Sequence, residues 1–167
     1  MPDRLSISLW LQEWDEDTVL ENWHKLLGFF PYAPTRPGVQ SVLVQPLDWT
    51  EPPTFEQNFG EGASADECLE AVQQFQHSDC AYQANAFWEV ENVPCPVKII
   101  AYGPDFEGRD DEQGHIELDL GAEVNVTQLV FLMHELPKRL KLRKRLLWSE
   151  SGEDVSNLLG KSANKSA

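Results

Sequence analysis

Leu5, Ile7, Leu9 and Leu11 alternate with Ser6, Ser8, Trp10 and Gln12, and this period of two predicts a strand with one aliphatic face. Trp10 lies on the other face, with Trp14 following, and aromatics of that size are expected as covered core. Asp15, Glu16 and Asp17 suit the positive end of a helix dipole. Behind them Val19, Leu20, Trp23, Leu26, Leu27 and Phe30 recur at helical spacing, with Gly28 as the expected stop and His24 at the boundary of the stripe. Residues 32–38, YAPTRPG, read as turns, and Val39 to Val44 as a strand ended by Pro46. Residues 48–63 hold two adjacent prolines and three glutamates. They predict a surface excursion with one short strand over Thr54–Phe59, pinned to the body by Trp49, Phe55 and Phe59.

Ser64-Ala65-Asp66-Glu67 forms a capping box, in which hydroxyl and carboxylate each satisfy a free N–H of the first helical turn. Cys68, Leu69, Val72 and Phe75 follow as the apolar stripe, which places Cys68 in the core; the helix should stop near His77-Ser78-Asp79. From Cys80 to Val90 the alternation of Tyr82, Ala84, Ala86, Trp88 and Val90 with polar and aromatic positions predicts a strand, although the alanines also suit a helix. Asn92 to Pro96 reads as a turn, with Cys95 the most exposed of the three thiols. Val97, Ile99 and Ala101 on one strand and Ile116, Leu118 and Leu120 on the next give a hairpin, whose expected register sets Tyr102 opposite His115 and Lys98 opposite Asp119. Asn125 or Thr127 caps a third helix bearing Val126, Leu129, Val130, Met133 and Leu136, which Pro137 ends or kinks. Leu140, Leu142, Leu146 and Trp148 then alternate with basic residues, disturbed at Lys144, so helix gives way to strand between 137 and 143. Ser151-Gly152-Glu153-Asp154 opens a short last helix through Val155, Leu158 and Leu159.

This order predicts an α+β fold: a mostly antiparallel sheet with helices packed on one face, read as a ferredoxin-like βαββαβ unit extended by ββαβ. Residues 1–159 are expected as one domain and 160–167 as a flexible polar tail.

Charge changes the picture more than composition does. The chain has 167 residues, 41% hydrophobic and 25% charged, which is ordinary for a globular protein, but its net charge is −15. That argues against nucleic acid or an anionic membrane as the main partner and favours a basic protein. Residues 1–137 carry 25 acids and 5 bases, whereas residues 138–167 carry 8 bases and 3 acids. A basic row of Lys141, Arg143 and Arg145 lying beside the acidic strand would neutralise both. Cys68, Cys80 and Cys95 are odd in number and have no C-x-x-C spacing. The opening MPDRLSISLW lacks a signal-peptide pattern, and no run reaches the roughly 18 apolar residues of a membrane span. A reducing, cytoplasmic location is the expectation.

The loop between the hairpin strands holds Asp105, Glu107, Asp110, Asp111 and Glu112 against a single Arg109. Its spacing does not fit an EF-hand, which needs acids at alternate positions around a central glycine. Pro104-Asp105 followed by Glu117-x-Asp119 resembles the acids of metal-dependent nucleases of the PD-(D/E)xK type, but Asp119 stands where their lysine would be. His115 beside Glu117 and Asp119 suggests an imidazole with a raised pKa and a role in acid–base work. The serine-hydrolase elbow, the P-loop, the dinucleotide fingerprint and H-E-x-x-H are missing, His134-Glu135 lacks a second histidine, and His77-x-x-Cys80 is a lone pair of zinc ligands. Neither a metal nor a cofactor is therefore expected.

The leading expectation is a non-enzymatic protein-binding module that presents Asp105, Glu107, Asp110, Asp111, His115, Glu117 and Asp119 to a basic protein partner. A small, acidic α+β chain is similar in profile to bacterial immunity proteins, which shield a toxin's basic active site; the similarity is of profile and carries no residues across. A second reading is a small hydrolase or ligand-binding enzyme with a pocket lined by Trp10, Trp14, Trp88 and the His115 row. A third is a homo-oligomeric scaffold that joins its acidic body to its basic C-terminal strand.

Overall fold

The computed structural model describes residues 4–149; the short helix expected from Ser151 and the tail over 160–167 lie outside them. The chain runs β1 (Leu5–Leu11), α1 (Glu16–Phe29), β2 (Val39–Pro46), β3 (Phe55–Ala63), α2 (Ala65–Val72), β4 (Cys80–Val90), β5 (Val93–Tyr102), β6 (Ile116–Gly121), α3 (Val126–Arg139) and β7 (Leu142–Ser149). The strands form one sheet in the order β3-β2-β4-β5-β6-β1-β7, and every ladder is antiparallel. The α+β class therefore stands, with three helices against the sheet. The βαββαβ-then-ββαβ order of elements is also found, but the ferredoxin-like arrangement is not. That arrangement sets a single strand between β1 and β2, whereas α1 here carries the chain from β1 past β6, β5 and β4 to β2.

Alternation fixes which side of the sheet is covered. Ile7, Leu9 and Leu11 of β1, Ile99 of β5 and Leu118 of β6 join Val19, Trp23, Leu26, Cys68, Val72, Leu129 and Leu136 of the helices in one buried cluster. Trp23 is fully buried there and donates its indole N–H to the Ile99 carbonyl at 3.1 Å. Asp15 caps α1, accepting from the Asp17 and Thr18 N–H groups, and Ser64 and Glu67 make the expected capping box at α2. Gly28 does not stop α1. It lies within the helix where α1 faces α2, and a Cβ there would stand 3.9 Å from that of Ala65.

Three further expectations change. The Asn92–Pro96 turn belongs to β5, and the chain reverses instead at Glu91 and Asn92, both with positive φ, between the paired Val90 and Val93. Pro94 and Pro96 are tolerated because β6 pairs only with Lys98–Ala101, so their missing N–H groups fall on an open stretch of edge. β3 runs past Phe59 to Ala63: its ladder with β2 breaks after the Ser41–Asn58 pair and resumes at Val39–Ala63, with Gly60 and Gly62 in the irregular stretch between. In β7 the register shifts between Leu142, opposite Leu11, and Lys144, opposite Trp10; Arg143 is the extra residue of this bulge. Beyond it Leu147, opposite Ile7, is buried in place of Leu146.

Pro137 sits within α3, which continues to Arg139. Its missing N–H frees the Met133 carbonyl four residues back, and Arg145 of β7 donates to that oxygen. The basic strand is thus beside β1, with β1 between it and the acidic β6, so the expected row of cross-strand pairs does not form.

Candidate functional site

Residues 103–115, which join β5 to β6, carry the carboxylates singled out in the sequence, and they are seated on the sheet rather than free of it. Gly103 begins the loop by donating to the Cys80 carbonyl at 2.8 Å, and Asp105 N–H donates to Ser78 at 2.8 Å. The approach is so close that a Cβ on Gly103 would lie 2.2 Å from the Ser78 oxygen. At the other end a Cβ on Gly114 would come within 2.8 Å of the Ser8 Cβ. Between these anchors Phe106 is buried with Ala81 and Tyr102 in a second small cluster. Trp49, from the β2–β3 connection, sets its ring edge-on to Tyr102 and Phe106, at centroid distances of 6.4 and 5.7 Å.

The loop's single cation points inward. The Arg109 side chain is 13% exposed and lies over the Tyr102 ring at 3.7 Å. It donates to the Gly114 carbonyl and to Glu117, each at 2.7 Å. His115 is likewise drawn in, with a side chain 1% exposed and stacked on Trp14 at 3.9 Å and 11°. Its backbone N–H donates to the Leu9 carbonyl at 2.8 Å, and its Nδ1 accepts the Leu11 N–H at 3.0 Å. An acceptor Nδ1 leaves the proton of a neutral ring on Nε2, which faces Asp111 Oδ1 at 3.0 Å. Burial lowers the His115 pKa, so the raised value expected from neighbouring carboxylates is not found; the hydrogen bond to Asp111 opposes burial without overcoming it. Asp111 is held below the usual range by that same hydrogen bond and by the charge of Arg143, which donates to it at 2.9 Å.

The seven predicted positions therefore fall into two sets. Asp105, Glu107 and Asp110 are exposed, as is Glu112 beside them. Asp111 is exposed yet tied to Arg143 and His115, Glu117 is held by Arg109, and Asp119 by Arg4 at 2.9 Å. The expected register is present: Lys98 opposes Asp119, and Tyr102 N–H donates to the His115 carbonyl at 2.9 Å. His115, Glu117 and Asp119 are nonetheless not a solvated row. Each is engaged by other groups of the chain.

Three residues outside the expected set join the loop. Glu107 N–H donates to the Leu47 carbonyl at 2.8 Å, which brings Asp48 and Glu51 to it. Glu107 is raised by a hydrogen bond with Asp48 and by the Asp48 charge, and Asp48 is lowered by that contact and by Thr50. Two carboxylates this close oppose each other's ionisation, and Glu107 is the one that gives up its charge first, while the Thr50 donors favour the ionised Asp48. The sequence signal for this turn was the run Leu47-Asp48-Trp49 directly after a strand-ending proline, but nothing local ties it to residue 107.

The aromatic pocket expected near His115 is not assembled. Trp88 lies in the helix-side core, Trp14 covers the His115 ring, and Trp10 borders a cleft of about 420 Å³ with Asp111, Glu112, Arg143 and Lys144. Among the described residues no group of three or more His, Cys, Asp or Glu could hold a metal ion, and no helix is long and apolar enough to cross a membrane. The chain matches no protein-family model, no curated protein and no solved structure.

Proposed function

We propose that the protein is a binding module that presents the outer side of the 103–115 loop to a basic protein partner. The observation that carries this reading is the sorting of charge within one loop: Arg109 is turned inward onto Tyr102 and Glu117, while Asp105, Glu107, Asp110 and Glu112 face solvent. A cluster of exposed carboxylates attracts a cationic partner and gives it a place to dock. The loop is also fixed in place by Gly103, Phe106, Gly114 and His115, so little conformational freedom remains to be lost on binding. Steering by such a field weakens as salt is raised.

Affinity capture with the wild-type chain and with the Asp105→Asn, Glu107→Gln, Asp110→Asn, Glu112→Gln variant tests the proposal. A basic protein retained by the first and lost by the second is the expected result. Equal retention of the same proteins by both sinks it. The paired carboxylates of Glu117 and Asp119 are unsuitable for this test, because neutralising them strands Arg109 and alters the contact of Arg4.

A further inference from the structure

Trp49 is 48% exposed although its ring is braced by Tyr102 and Phe106, and Leu47 beside it is 44% exposed. A large aromatic left half in water while held in one orientation is typical of an interface anchor rather than of scattered surface apolarity. Leu47 is also held at φ 48, a region that a branched side chain adopts only when its surroundings enforce it. That conformation aims the Leu47 carbonyl at Glu107 N–H and so brings Asp48 and Glu51 to Glu107, while Trp49, between them in the chain, packs on Phe106, the neighbour of Glu107. The charges bearing on Glu107 are both negative. An exposed aromatic whose chain neighbours carry carboxylates attracts a cation through the ring quadrupole and those charges together.

The same ring cluster already accommodates one such group. Arg109 lies over Tyr102 at 3.7 Å with Glu117 as its counter-charge, and Trp49 meets the same Tyr102 ring edge-on. We infer that Trp49 is the docking point for an arginine of the basic partner, its guanidinium lying against the indole and held by the Asp48, Glu51 and Glu107 carboxylates; this rests on the acidic-surface reading above. Arginine fits better than lysine, since a planar, weakly hydrated guanidinium can stack on a ring and still reach two carboxylates.

An acetylated hexapeptide with two arginines, and its counterpart with neutral citrulline at both positions, serve as probes. The indole N–H resonance of Trp49, assigned by its loss in Trp49→Phe, reports on the site. The arginine peptide should shift that resonance and the citrulline peptide should not. Trp49→Leu should weaken arginine-peptide binding roughly three- to tenfold, with Trp49→Phe, which keeps a ring against Phe106, falling between. Arginine-peptide binding that Trp49→Leu leaves unchanged but Asp110→Asn with Glu112→Gln weakens would overturn this inference and leave the acidic-surface reading standing. An arginine peptide that binds no better than the citrulline peptide overturns both.

Discussion

Both nitrogens of His115 are committed, Nδ1 to the Leu11 N–H and Nε2 to Asp111, and that ties its protonation to the stability of the fold. A proton arriving at Nδ1 would set one N–H against another in a buried site, stacked on Trp14 and facing the charges of Asp111, Arg143 and Arg109. The folded-state pKa is lowered by burial, so above the ordinary histidine value of about 6.5 neither state binds the proton and stability is flat. As pH falls below that value, the unfolded chain takes up the proton first and stability drops, until the folded ring also titrates. Denaturant unfolding followed across this range should show the decline in the wild type and lack it in His115→Gln. Nitrogen NMR should find Nδ1 unprotonated at neutral pH. A decline of equal slope in both chains would remove His115 as its source. The sequence placed this histidine correctly in phase with Glu117 and Asp119, but its burial depends on Trp14 and on the returning loop. Those are contacts across about a hundred positions that strand alternation cannot report.

At the scale of single elements, the parts of the chain with unbroken periodicity were legible. β1, β4 and the paired faces of β5 and β6 follow directly from alternation, and α2 from its capping box. What escaped notice were places where one local signal had another meaning. The prolines of β5 are turn-like residues, tolerated here on an unpaired edge. Gly28 is a helix breaker that sits at a helix–helix contact, and the irregularity at Lys144 marks a bulge. Arg145 belongs to the same class. It reads as one charge in a basic row, yet it satisfies the carbonyl that Pro137 leaves free in α3. Arg145→Met should therefore lower stability by about 1–2 kcal/mol, the worth of a hydrogen bond from a charged donor, and Pro137→Ala should recover part of the loss by restoring the helical N–H. If unfolding shows no loss in Arg145→Met, that link carries no weight. The loop anchor is more demanding: Gly103→Ala drives a Cβ into a backbone oxygen and should destabilise by roughly 2–4 kcal/mol, with faster amide exchange at Asp105 and Phe106.

Over the whole molecule the charge asymmetry is only partly resolved within the chain. Arg143 reaches Asp111, Arg139 and Lys138 reach Glu135, and Lys144 lies over Trp10 at 4.7 Å, so much of the basic segment is engaged close to where it lies. Arg4 and Arg109 then cover Asp119 and Glu117. Carboxylates face solvent over much of the molecule, Glu56, Glu61, Glu70 and Glu91 among them; those of the 103–115 loop and the adjoining 48–51 turn are set apart by the exposed, braced ring of Trp49. Net charge alone gives a protein solubility and a loose attraction to any polycation, whereas a braced patch gives attraction at one place. The two differ in what a charge-matched change does.

The most direct test is calorimetric titration of a captured basic partner into two variants of equal net charge. One carries Asp105→Asn, Glu107→Gln, Asp110→Asn and Glu112→Gln; the other carries Glu56→Gln, Glu61→Gln, Glu70→Gln and Glu91→Gln, four exposed acids elsewhere on the molecule. A patch at the loop predicts at least tenfold weaker binding and a shallower salt dependence for the first, with the second close to wild type. Equal weakening in both would show that only the total charge matters and would contradict a binding site at this loop.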